Sequence, residues 1–192
     1  MNETDYALVN IILFVFLPIW CIAGYIDWYC HKKSKIEITT GLPESLLHSL
    51  MGVQCGVPIF LCLLFKVNAL ILLIFFASLI FHELVAFYDV RMATNKRHIS
   101  ILEMHVHAYL STTPLFLVLM IVAINWGLVT RLIQSGVQGT DQFTFIQSEY
   151  TFGNAYYLPV FSISLFVLCV MPYIEELFRC VRSAVVRRGD AS

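Results

Sequence analysis

The sequence is short of charge. Only 13% of its 192 residues are Asp, Glu, Lys or Arg, where a soluble domain carries about a quarter. With 59% hydrophobic residues and a mean hydropathy of +0.78, the deficit excludes an ordinary soluble domain and makes lipid the expected solvent. The net charge is −1, so no basic excess points to nucleic acid. No Gly/Ser/Pro-rich linker divides the chain and no solenoid-length repeat recurs, so a single domain over residues 1–192 is expected. The six cysteines, Cys21, Cys30, Cys55, Cys62, Cys169 and Cys180, form no C-x-x-C pair. Most lie in or beside apolar runs and read as buried thiols, not a disulfide framework. The acidic start, Met1 to Asp5, lacks a signal peptide's basic region and cleavage site. The first apolar run is therefore expected to stay as an anchor.

What is present is long apolar runs, at about 7–26, 46–65, 67–88, 106–126 and 156–174. Each approaches the ~20 residues that a helix needs to cross ~30 Å of hydrocarbon. The expected fold is all-α, an integral membrane bundle of about five transmembrane helices. Lys66 marks a tight turn that makes the second and third runs an antiparallel hairpin. Segment 127–155 is polar, carries Gly136, Gly139 and Gly153, and reads as a periplasmic loop with a short amphipathic piece around Val129–Ile133. Trp126, Tyr156 and Tyr157 stand where interfacial aromatics belong.

Basic residues orient the bundle. Lys32, Lys33 and Lys35 follow the first run, Arg91, Lys96 and Arg97 the third, and Arg179, Arg182, Arg187 and Arg188 the fifth. Five crossings put these clusters on one side and leave Lys66 and Arg131 on the other. The positive-inside rule then places the N-terminus outside and the C-terminus in the cytoplasm. Four or six crossings would split the clusters.

The remaining polar residues recur in pairs. Asp27 and His31 end the first helix, Glu44 and His48 begin the second, and Glu103 and His107 begin the fourth, each pair four residues apart. His82 and Asp89 lie seven apart at the end of the third. Both spacings put the two members on one helical face. The topology collects all four pairs at the cytoplasmic end, where Glu175 and Glu176 follow Pro172 on the fifth helix. Facing helices build metal sites in this way, and imidazole with carboxylate suits iron, manganese or zinc. Eight ligands exceed what one tetrahedral ion needs, so two transition-metal ions are expected. His82 and Asp89 are roughly 10 Å apart along the axis, which allows them to serve different metals, or one of them to support a ligand without binding metal itself.

Simpler roles exist for single members. Ser100 to Glu103 is a capping-box pattern. Pro43-Glu44 is a helix start that favours an acid. Asp27 has Lys32 and Lys33 nearby, and Asp89 has Arg91 and Arg97. Those roles do not explain four pairs together, and ionisable groups near lipid are costly unless they face an interior. His105 points to another face than Glu103 and His107. His98 reads as solvated in its loop, Glu83 as facing away from His82, and Glu37 as a cap or a ligand. Of the adjacent Glu175 and Glu176, only one is expected to face the site.

The stretches Gly24-Tyr25-Ile26-Asp27-Trp28-Tyr29-Cys30-His31, Ile36 through His48, and Glu103-Met104-His105-Val106-His107 resemble a family of small bacterial inner-membrane proteins. So do the surroundings of His82-Glu83, Asp89 and Tyr173-Ile174-Glu175-Glu176. The resemblance covers most of the chain outside 127–155 and implies a bacterial inner membrane, but no activity. A looser similarity in ligand logic is to membrane di-iron hydroxylases and desaturases. Their H-x-x-x-H and H-x-x-H-H clusters are missing here, and only six histidines are present.

Three chemistries are open at such a site. The first is di-iron oxidation of a lipid or other apolar substrate, with a cytoplasmic electron donor. Asp27, His31, Glu44, His48, His82, Asp89, Glu103 and His107 would be ligands, and Glu175 or Glu176 a ligand or base. The second is zinc-dependent hydrolysis, with Glu44 or Glu103 as base. The third is metal or proton transport, disfavoured because transport sites lie near the midplane. A structural or partner-binding role remains if the pairs are only caps and salt bridges.

Overall fold

The computed structural model describes residues 2–148 and 156–189. Five helices are long and apolar enough to cross a membrane. They are α1 (Glu3–Ser34), α2 (Leu42–Leu64), α3 (Ala69–Thr94), α4 (Ile101–Ile124) and α6 (Tyr157–Gly189). A short α5 (Trp126–Ser135) connects α4 towards the 3₁₀ turn Thr140–Phe143. No strand is assigned among the described residues; Phe65 and Gln147 make an isolated bridge. Of the segment read as a loop, 149–155 (Gly153 included) lies outside the described residues.

The helices outrun their apolar stretches at the site end. α1 continues past Ile26 through Asp27 and His31 to Ser34, and closes on Lys35, whose φ of 53° is left-handed. α2 starts at Leu42, ahead of Glu44, with Pro43 in its first turn. α3 runs on through Asp89, and α6 ends well beyond Ile174. Hydropathy marks where lipid stops, whereas a helix continues while its polar side chains find partners.

The ends are capped as their residues allow. Ser100 accepts from the Glu103 N–H, and Asn68 accepts from the Ile71 N–H. Asn68 also donates to the carbonyls of Asp141 (3.0 Å) and Thr144 (2.7 Å), tying the α2–α3 turn to the connection after α5. Ile12–Phe16 in α1 and Phe166–Val170 in α6 form π-helical turns. Each lies just before a proline, Pro18 or Pro172. Proline lacks an N–H and crowds the carbonyl four residues back, and a widened turn relieves both without ending the helix.

The long helices close a ring: α1 packs on α4, α4 on α3, α3 on α2, α2 on α6 and α6 on α1. Half of the ring interior is hydrocarbon. One cluster joins Leu13, Leu17, Ile59, Leu117, Phe161 and Leu165; another joins Ile71, Leu72, Phe75, Val118 and Ile121. The outer faces are apolar too, with Phe81, Leu84 and Phe87 on α3 exposed. A lipid-facing surface has this character. The buried acids and histidines of the helices collect in the other half.

Candidate metal centre

Five of the buried groups are carboxylates: Asp27, Glu44, Asp89, Glu103 and Glu176. They come from α1, α2, α3, α4 and α6, one from each long helix. His31 and His48 lie among them, also buried. Their rings stack in parallel, with centroids 4.4 Å apart and planes 10° apart.

Glu176 organises the stack. Its Oε2 is 3.0 Å from His31 Nδ1, and its Oε1 is 3.2 Å from His48 Nδ1. A carboxylate only accepts, so each Nδ1 donates a proton here, and by the same rule His48 Nε2 donates to Asp89 while no metal stands between them. Both Nε2 atoms are thereby turned the other way. His31 Nε2 faces Glu103 Oε1 at 3.4 Å and Asp27 Oδ2 at 3.6 Å. His48 Nε2 faces Asp89 Oδ2 at 3.2 Å. Three groups have ligand atoms within 4.8 Å of one another: Asp27–His31–His48, His31–Glu44–Glu103 and Glu44–His48–Asp89. Each can hold a metal ion.

Arg97 is the counter-charge. It lies in the turn between α3 and α4, and its side chain is only 4% exposed. One terminal nitrogen contacts Glu103 and lies 2.6 Å from Glu44 Oε1. Burial works against its charge, but Glu103 and Glu44 hold the guanidinium above its already high ordinary pKa. The Thr40 hydroxyl donates to Glu44 from the turn before α2. The capping and metal-site readings of Glu103 hold together: its backbone takes the Ser100 cap while its carboxylate turns inward.

Six of the expected ligands, Asp27, His31, Glu44, His48, Asp89 and Glu103, are thus brought together. His82 and His107 stand to one side. With Asp27 and His48 they line a small cavity of about 30 Å³ beneath the cluster. His82 Nδ1 is 3.5 Å from Cys55 Sγ, and His107 Nε2 is 3.9 Å from Asp89 Oδ2. Asp27 Oδ1, His82 Nε2 and His107 Nε2 of these lining residues, and Asp89 Oδ1 in the cluster, are buried without a hydrogen-bond partner among the described residues.

The acidic pair of α6 divides. Glu176 is fully buried in the cluster. Glu175 has a 40% exposed side chain and engages Trp28, Lys32 and Arg179 at the rim. Glu37 joins the same rim through Arg179. His98, His105 and Glu83 are exposed, with His105 against Tyr109.

Two features of the site are not visible in the sequence. By spacing Arg97 is a partner for Asp89, yet in the fold it joins Glu44 and Glu103. Glu176 was expected to be a ligand or base, and its grip on both imidazoles depends on two other helices. The available signal was a lone arginine six residues before Glu103, in a connection too short to carry it far. Comparison with family models, curated proteins and solved structures returned no match to the chain.

Proposed function

We propose that this chain is a membrane-embedded oxidoreductase with a dinuclear transition-metal centre, iron first, of the hydroxylase or desaturase type, acting on a lipid or other apolar substrate. The observation that carries the reading is the Glu176 bridge. Carboxylate–imidazole contacts of this kind fix the tautomer and aim of metal-binding histidines, and here one carboxylate serves two rings.

Charge supports two metals. Five buried carboxylates face one buried guanidinium. With both imidazoles neutral, the form in which they bind metal, four negative charges remain uncompensated, and unpaired buried charge is costly. Two divalent cations balance it. The donor set supports iron or manganese over zinc, because carboxylates outnumber imidazoles and no cysteine belongs to the ligand groups. The side chains that pack beyond the cluster, Leu13, Leu17, Ile59, Leu117 and Phe75 among them, are apolar and offer an ion no ligands, which disfavours a transport path.

Two bound irons would supply reductive activation of dioxygen. Hydroxylation would place one oxygen atom in a C–H bond and reduce the other to water, taking two electrons and two protons from a reductant and solvent. His31 would serve one metal with Asp27 and Glu103, and His48 the other with Asp89 and Glu44. Glu176 would hold both rings, and Arg97 would limit the charge that the metals must balance. The basic clusters favour an orientation with this end in the cytoplasm, within reach of a soluble electron donor, and the family resemblance favours a bacterial inner membrane.

The test is metal content per chain after purification in mild detergent, beside a His31→Ala/His48→Ala variant checked for helicity. About two irons per chain, lost in the variant, with oxygen uptake driven by reductant and an apolar substrate, is the expected result. One zinc per chain would favour hydrolysis. No metal in either folded protein would end the proposal.

A further inference from the structure

An apolar groove of about 500 Å³ runs between α2 and α6 on the lipid-facing side of the bundle. Along α2 it extends from Ser49 to Leu64, roughly 22 Å at 1.5 Å per residue. Its site end begins one residue from His48. There it shares Trp20, Gly52, Leu110 and Tyr173 with the small cavity lined by Asp27, His48, His82 and His107. The polar site therefore has an apolar approach from within the membrane span.

Two glycines one helical turn apart shape this slot. A Cβ at Gly52 would come within 3.3 Å of the Tyr173 ring, so Gly52 lets that ring seat between groove and cavity. A Cβ at Gly56 would meet nothing within 4 Å. The space left by its missing side chain belongs to the groove. The G-x-x-x-G spacing also suits helix pairing. However, Gly52 is already occupied by Tyr173 of the same chain, which leaves an indented slot instead of a flat glycine face.

We infer that this groove holds one acyl chain of a bilayer phospholipid, with its headgroup end at the polar cluster and its methyl end towards Leu64. The polar cluster lies at one end of the spans, where a headgroup belongs, and the groove leads from it into hydrocarbon. Lys32 and Lys33 lie in the last turn of α1, at the same end of the spans, Lys32 3.6 Å from Glu175 of α6. Under the proposed chemistry, on which this substrate assignment rests, the carbons presented to the centre are those nearest the headgroup. Gly56 sets the groove's width without touching the cluster.

The experiment keeps Trp20, which lines both groove and cavity, as sole tryptophan (Trp28→Phe, Trp126→Phe). The protein is reconstituted in unbrominated phosphatidylcholine, and phosphatidylglycerol with brominated chains is added in small steps. Saturable quenching at low mole fraction is expected, weakened roughly tenfold or more by Gly56→Leu, which fills the slot. Metal content in the Gly56→Leu protein should equal that of its parent. Saturable, Gly56-sensitive quenching in a metal-free protein would uphold the groove and reject the metal chemistry. Quenching that rises linearly and equally in both proteins would overturn the inference, as would saturation by brominated fatty acid alone. Loss of a dimer in Gly56→Leu would make the slot a helix interface and overturn it too.

Discussion

Glu176→Gln keeps the shape of the side chain and removes one charge and one acceptor. In the native protein both carboxylate oxygens accept, at 3.0 and 3.2 Å, from the Nδ1 atoms of His31 and His48. The amide has one acceptor oxygen, so it can serve one ring. The other ring meets an NH₂ donor and must place its proton on Nε2, the atom that faces the carboxylates. That imidazole then cannot bind metal through Nε2. Losing such a supporting contact typically costs 10–100-fold in metal affinity, or about 1.4–2.8 kcal/mol. The matched control is Glu175→Gln, one residue away, whose side chain is 40% exposed at the rim and should leave affinity unchanged. Competition against a chelator of known affinity, with manganese or zinc as redox-stable probe, reads both variants. Equal affinity in Glu176→Gln and wild type would refute the argument. So would equal losses in the two variants.

Two further perturbations separate site from scaffold. Arg97→Met removes the cation between Glu44 and Glu103 and should destabilise the chelator-treated protein by about 3–5 kcal/mol, since it leaves buried charge uncompensated. Added divalent metal should restore part of the melting temperature, and an equal loss with and without metal would discard Arg97 as counter-charge. Asn68→Ala deletes a helix cap and two hydrogen bonds to carbonyls at the opposite end. It should cost about 2 kcal/mol in unfolding with metal affinity unchanged, and a changed affinity would mean that the two ends are coupled.

Several parts of the site were readable because they are local. Asp27 and His31 lie on one face at a spacing of four, and they meet at 3.6 Å. Ser100 and Glu103 form a cap by sequence distance alone. Glu103 and His107 follow the same spacing rule, yet only Glu103 joins the ligand groups. One helical face covers several neighbours, and the rotation of α4 in the ring chooses between them. His82 was singled out by its depth in an apolar run, and it faces a cavity with Cys55 instead of the cluster.

Composition and residue spacing by themselves determined five apolar spans, their helical character and the faces that carry the acids and imidazoles. Those properties depend on lipid-length hydropathy and on residues within one or two turns. Only the tertiary structure decided that Glu176 and not Glu175 enters the cluster, that Arg97 closes it, and that Gly52 and Gly56 front a groove. Adjacent helical residues point about 100° apart. Which one faces a neighbour therefore depends on how each helix is rotated about its axis against the others, and that rotation is set by packing around the whole ring.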